Sequence, residues 1–116
     1  GFGLLGHLKE MCENSDVSSK INFQDLLFLD GAKELAMSGV MPGGTKRNLK
    51  SVEKVVSFND HLSEIEQLLS ADAQTSGGLL VSMPLEDARS YVKKVNGQTA
   101  IIGQITEKKP YLIKVY

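Results

Sequence analysis

Leu4, Leu5, Leu8, Met11 and Cys12 recur at helical spacing with Lys9, Glu10 and Glu13 between them. That period predicts an amphipathic helix over residues 4–13, ended by Asn14-Ser15-Asp16. From Ser18 to Phe23 the pattern changes to alternation, with Ile21 and Phe23 on one face, and predicts a short strand. The apolar stretch Gln24 to Leu29 fits a helical turn or a loop. Asp30 is placed to cap a helix through Ala32, Leu35 and Ala36, which Gly39 terminates. Thr45 to Lys50 reads as a helical turn leading into Val52 to Phe58, and Asn59 or Asp60 caps a helix with the apolar face Leu62, Ile65, Leu68 and Leu69, ending near Ala71.

Beyond Gly77-Gly78, the run Leu79 to Met83 reads as a buried strand. Pro84 then opens a helix carrying Leu85, Ala88, Tyr91, Val92 and Val95 inward, closed by Asn96-Gly97. Two β-rich runs, Thr99 to Thr106 and Tyr111 to Tyr116, flank Glu107-Lys108-Lys109-Pro110 and predict a terminal hairpin. Strands and helices mix without strict alternation, so the expected class is α+β, a sheet covered by helices. No repeat, low-complexity tract or long linker interrupts the chain.

At 116 residues, with 41% apolar and 23% charged residues, the sequence suits one domain able to bury a core. Thirteen basic residues against 14 acidic ones leave a nucleic acid or an anionic membrane no electrostatic handle. No apolar run approaches the roughly 20 residues that span a bilayer, and no signal peptide is evident, so the chain reads as soluble and cytoplasmic. A lone cysteine, Cys12, sits on the apolar stripe of the first helix and reads as core filling. His7 and His61 lack partners at useful spacing and read as packing or surface residues.

Three glycine-bearing loops remain as candidate chemistry. Gly1-Phe2-Gly3-Leu4-Leu5-Gly6-His7 precedes a helix, where free N–H groups can meet an anion and where glycine equally permits tight packing. Pro42-Gly43-Gly44-Thr45-Lys46-Arg47-Asn48 sets flexible backbone beside a hydroxyl, two cations and an amide, a set able to chelate phosphate oxygens or to form a plain turn with a basic helix. Its spacing is not that of a Walker loop. Asp72-Ala73-Gln74-Thr75-Ser76-Gly77-Gly78 can face a cleft or satisfy its own backbone as a turn. None of the loops holds a convincing catalytic group.

In this order, the three loops resemble the C-terminal half of the selenophosphate synthetase family, also called selenide, water dikinases, across essentially all 116 residues. That family lies in the superfamily of aminoimidazole ribonucleotide synthetase, so the resemblance implies an α+β C-terminal domain with a mixed β-sheet flanked by helices. It also implies an enzyme forming selenophosphate, AMP and orthophosphate from ATP, selenide and water, with Mg2+ as phosphate counter-ion, acting as a homodimer. The reactive cysteine or selenocysteine, an essential lysine and most aspartates for Mg2+ and ATP would then belong to an N-terminal domain. Residues 1–116 are accordingly expected to be a single C-terminal domain of a longer protein, starting just after the family's Asp-Val-Thr, and inactive alone. The resemblance assigns this chain no catalytic residue and no metal ligand. Its candidates for a substrate- and phosphate-facing wall are Gly43, Gly44, Thr45, Arg47 and Asn48 with Thr75, Ser76, Gly77 and Gly78. Ala73 departs from the proline often found there, which frees one backbone torsion. The competing readings are a thiamine monophosphate kinase or aminoimidazole ribonucleotide synthetase domain, or a stand-alone anion-binding or dimerisation module.

Overall fold

The computed structural model of the chain describes residues 1–95 and 99–116. Helix α1 spans Gly3–Ser15 and buries Leu5, Leu8 and Cys12, the stripe its period predicts. It stops where Asp16 turns into the left-handed region at φ 51°, its N–H donating to the carbonyls of Cys12 and Glu13. Strand β1 (Ser18–Ile21) is shorter than the predicted Ser18–Phe23, and a single 3-10 turn, Phe23–Asp25, takes up Phe23 and the start of the stretch that had fitted either turn or loop.

Helix α2 (Ala32–Met37) begins at Gly31, with no side chain capping it, so Asp30 is not its cap. It closes through Gly39, whose N–H reaches Ala36 while the N–H of Val40 reaches Leu35, the paired bonds that satisfy terminal carbonyls. Helix α3 is longer than the predicted turn and spans Gly43–Val52, and strand β2 is Val56–Phe58. Helix α4 (Glu64–Ser70) is capped by Ser63 rather than by Asn59 or Asp60. Ser63 accepts from the Glu66 N–H, while Glu66 accepts from the Ser63 N–H, a reciprocal box that leaves two fewer free donors. Helix α5 (Leu85–Lys94) starts after Pro84, and strands β3 (Gly103–Thr106) and β4 (Ile113–Val115) complete the order. The Asn96-Gly97 helix end lies outside the described residues.

The sheet runs β2-β4-β1-β3, with β4 parallel to both β1 and β2 and β3 antiparallel to β1. The terminal hairpin is therefore not formed: β1 lies between β3 and β4, pairing Ser19 with Ile105 on one side and with Ile113 on the other. Ser18 locks the intervening loop instead. Its buried hydroxyl donates to the Tyr111 carbonyl at 2.7 Å and accepts the Lys109 N–H at 2.9 Å. The class is α+β with a mixed sheet, as expected.

Leu5, Leu8 and Cys12 of α1 share one core with Ile21, Phe23, Val52, Leu62, Leu69, Ile113 and Val115. Helix α1 packs on β4, α3 and α4, and α3 also packs on α4. Two expectations for the segment after Gly78 fail. Leu79 to Met83 joins no ladder among the described residues, and Leu79 is 94% exposed, because apolar content makes a strand only where a neighbouring strand takes up its backbone groups. On α5 only Ala88 and Val92 are half-buried, while Leu85, Tyr91 and Val95 are exposed.

Candidate functional site

The starts of α1 and α3 and the end of α4 meet at one place, and the contacts there are made by the glycine loops. Gly3 takes φ +73°, and a Cβ on it would lie 2.6 Å from the Asp72 carbonyl oxygen and 2.9 Å from that of Ala71. Glycine alone lets α1 begin against the chain leaving α4. A Cβ on Gly44 would stand 3.1 Å from the Ala73 methyl, so α3 begins against the same segment.

Side chains of α3 complete the junction. Thr45 is fully buried, donates its hydroxyl proton to Asp72 Oδ1 at 2.7 Å and accepts the Ala73 N–H at 3.2 Å. One turn later, Asn48 Nδ2 donates to the Gly1 carbonyl at 2.8 Å and to the Ala71 carbonyl at 3.2 Å. The helical period places these two residues, three apart, on the same side of α3.

Arg47 points elsewhere. Its guanidinium folds back along the first turn of α3, where a Cβ on Gly43 or Gly44 would be 3.9 or 3.8 Å from its nitrogens. Arg47 and Lys46 are exposed, and neither pairs with a carboxylate among the described residues. Thr75, Ser76, Gly77 and Gly78 are exposed too, with Gln74 Oε1 tucked 2.9 Å from where a Gly77 Cβ would sit. The nine candidates thus divide. Gly43, Arg47 and the Thr75–Gly78 stretch face solvent, Gly44 and Asn48 are half-buried, and Thr45 is inside. Asp72, absent from the sequence-derived set, holds Thr45. Its loop is visible in the sequence, but a partner 27 residues away is not.

The remaining titratable residues stand apart. His7 is exposed, edge-on to Phe2 at 5.9 Å and 3.4 Å from a Glu10 oxygen, and His61 Nδ1 is 2.8 Å from Asn59 Oδ1. Cys12 is buried in the core. Among the described residues no group of three or more His, Cys, Asp or Glu side chains is gathered where it could hold a metal ion. A groove of about 540 Å³ between α3, β2 and α4 shares only Lys46 with the three loops. No helix among the described residues is long and apolar enough to cross a membrane.

The chain is similar to known proteins over nearly its whole length. Residues 1–115 match the family described as AIR synthase related protein, C-terminal domain. The chain belongs to that family. Among its curated relatives, the selenide, water dikinase of Aliarcobacter butzleri (strain RM4018) is 41% identical over 109 residues, covering 90% of this chain and 31% of that protein. The enzyme of the same name from Myxococcus xanthus (strain DK1622) is 40% identical over 113 residues, or 95% of this chain and 32% of the relative. That of Campylobacter jejuni (strain RM1221) is 42% identical over 112 residues, or 94% and 32%. The chain spans about a third of the length of the curated relatives it matches.

Proposed function

We propose that this AIR synthase related domain is the C-terminal domain of a selenide, water dikinase, which forms selenophosphate, AMP and orthophosphate from ATP, selenide and water. The observation that carries the reading is identity near 40% to relatives of that name over nearly the whole chain. The remaining two thirds of such a protein would supply an N-terminal domain holding the nucleophile and most of the ATP and Mg2+ ligands.

The role left to these residues is electrostatic and geometric. Phosphoryl transfer needs its charged oxygens held in place, and little else from the protein. Gly43 and Gly44 present backbone N–H groups at the start of α3, Arg47 brings beside them a guanidinium with no carboxylate partner among the described residues, and Thr75 to Gly78 offer hydroxyls and exposed backbone. These groups form the wall of a cleft that the N-terminal domain closes. Thr45 and Asn48 serve that wall from inside.

The test is selenide-dependent AMP release from ATP, followed with selenophosphate detection by phosphorus NMR. The 116-residue chain alone makes neither product, and a full-length protein carrying it makes both. AMP release by the isolated chain, or its absence from a folded full-length protein supplied with selenide and Mg2+, overturns the reading.

A further inference from the structure

We propose that Thr45, Asn48 and Asp72 are positioning residues, forming a latch that holds the three glycine loops in one fixed arrangement. The purpose of the latch rests on the phosphate-wall reading above; its geometry does not.

Each side chain is committed. The amide of Asn48 has two N–H groups, and two carbonyls, Gly1 and Ala71, receive them. What remains is Oδ1, an acceptor, which repels a phosphate oxygen rather than binding it. The Thr45 hydroxyl has one proton, given to Asp72, while a lone pair takes the Ala73 N–H, and the residue has no exposed surface through which to meet a ligand. A carboxylate such as Asp72 is likewise a poor neighbour for phosphate. Its use is to accept a short charge-assisted bond and so anchor a buried hydroxyl.

The contacts join segments far apart in sequence. Thr45 to Asp72 spans 27 residues and Asn48 to Gly1 spans 47. Together they tie the start of α1, the start of α3 and the chain leaving α4. The close approach of Gly3 to the Asp72 carbonyl, and of Gly44 to Ala73, leaves little room for these segments to slide once tied. Gly43, Gly44 and Arg47 sit on the first turn of the helix so held, and Gln74 to Gly78 continue directly from Ala73. Groups that must meet one anion from separate loops lose effect when displaced by about 1 Å, which is the reason a latch matters for function.

The experiment uses the chain itself, with two readouts. Amide hydrogen exchange at Ala73 reports on Thr45, and exchange at His7 and Leu8, the first amides bonded within α1, reports on Asn48. Titration with inorganic pyrophosphate, followed at the Gly43, Gly44 and Gly77 amides, reports on the wall. Thr45→Val and Asp72→Asn speed Ala73 exchange, the former about tenfold, whereas Thr45→Ser keeps the wild-type rate. Asn48→Asp sets an anion against two carbonyls and speeds exchange at His7 and Leu8 about tenfold. If that variant does not fold, Asn48→Ala is read at the same amides. All but Thr45→Ser weaken pyrophosphate binding about tenfold with Arg47 intact, at temperatures where each variant is fully folded.

Unchanged exchange in Thr45→Val and in the Asn48 variant overturns the latch. So does pyrophosphate affinity that stays at the wild-type value when exchange has accelerated. A wild-type chain that does not respond to pyrophosphate counts against the wall, and the exchange rates alone then decide the latch.

Discussion

Gly3 lies so close to Asp72 that a Cβ on the glycine would stand 2.6 Å from the aspartate's carbonyl oxygen, at a φ of +73° that side chains avoid. Both terms act against alanine: left-handed backbone costs about 1–2 kcal/mol, and overpacking adds about 1–3. Gly3→Ala should therefore lower unfolding free energy by about 2–5 kcal/mol in urea. Gly31 also has positive φ, but nothing lies within 4 Å of its Cβ position, so Gly31→Ala should cost less. Equal losses at the two positions would show that crowding at the junction is not what matters.

Ser19 is a second point of stress. It lies on β1 between β3 and β4, 1% exposed, and its hydroxyl has no hydrogen-bond partner among the described residues. A buried polar group without a partner is costly. Ser19→Ala should raise the unfolding free energy by about 1 kcal/mol, and a loss of that size would mean the hydroxyl is satisfied.

The start of α4 should respond to acid. Hydrogen bonds from the Ser63 N–H, then from its hydroxyl, hold the Glu66 carboxyl below the usual carboxylate range, outweighing a small opposing effect of burial. A carboxyl whose pKa is lowered by folding stabilises above its unfolded pKa, and loses that contribution as pH falls through the folded one. The stability advantage of wild type over Glu66→Gln should accordingly be larger near pH 7 than near pH 3. Ser63→Ala should cost about 1 kcal/mol at neutral pH. A difference between wild type and Glu66→Gln that is flat with pH would contradict the capping account.

The segment after Gly78 behaves as surface despite its composition. Leu79→Ser should change stability by less than about 0.5 kcal/mol, whereas Leu5→Ala, in the core with no exposed surface, should cost about 2–5. Chemical denaturation of the two variants separates a solvent-facing run from the buried strand its sequence suggests.

That contrast marks what the sequence could reveal. Local signals carried through: the leucine stripe of α1, the glycine after α2 and the proline before α5 all act within a few residues, where covalent geometry and helical period decide. Cap assignment failed where competing residues lay nearby, since Asn59 and Asp60 are good caps in isolation but Ser63 has Glu66 three residues on. Strand pairing failed because β1 inserts between β3 and β4 from about 90 residues away, as the 93-residue Ser18–Tyr111 contact shows. The site was legible as three loops with suitable residue types. Which side chains face outward was not, because the inward turn of Thr45 and Asn48 depends on Asp72, Ala71 and Gly1.

The central claim, that these loops form one wall of a phosphate-handling cleft, is tested most directly at Arg47. Like Lys46, Arg47 is a cation at the start of α3 with no carboxylate partner among the described residues, so its removal takes away charge without breaking an ion pair there. In a full-length selenide, water dikinase carrying this domain, Arg47→Ala should lower selenide-dependent AMP release at least about tenfold with thermal unfolding unchanged. Wild-type turnover in a variant that folds as wild type does would contradict the claim.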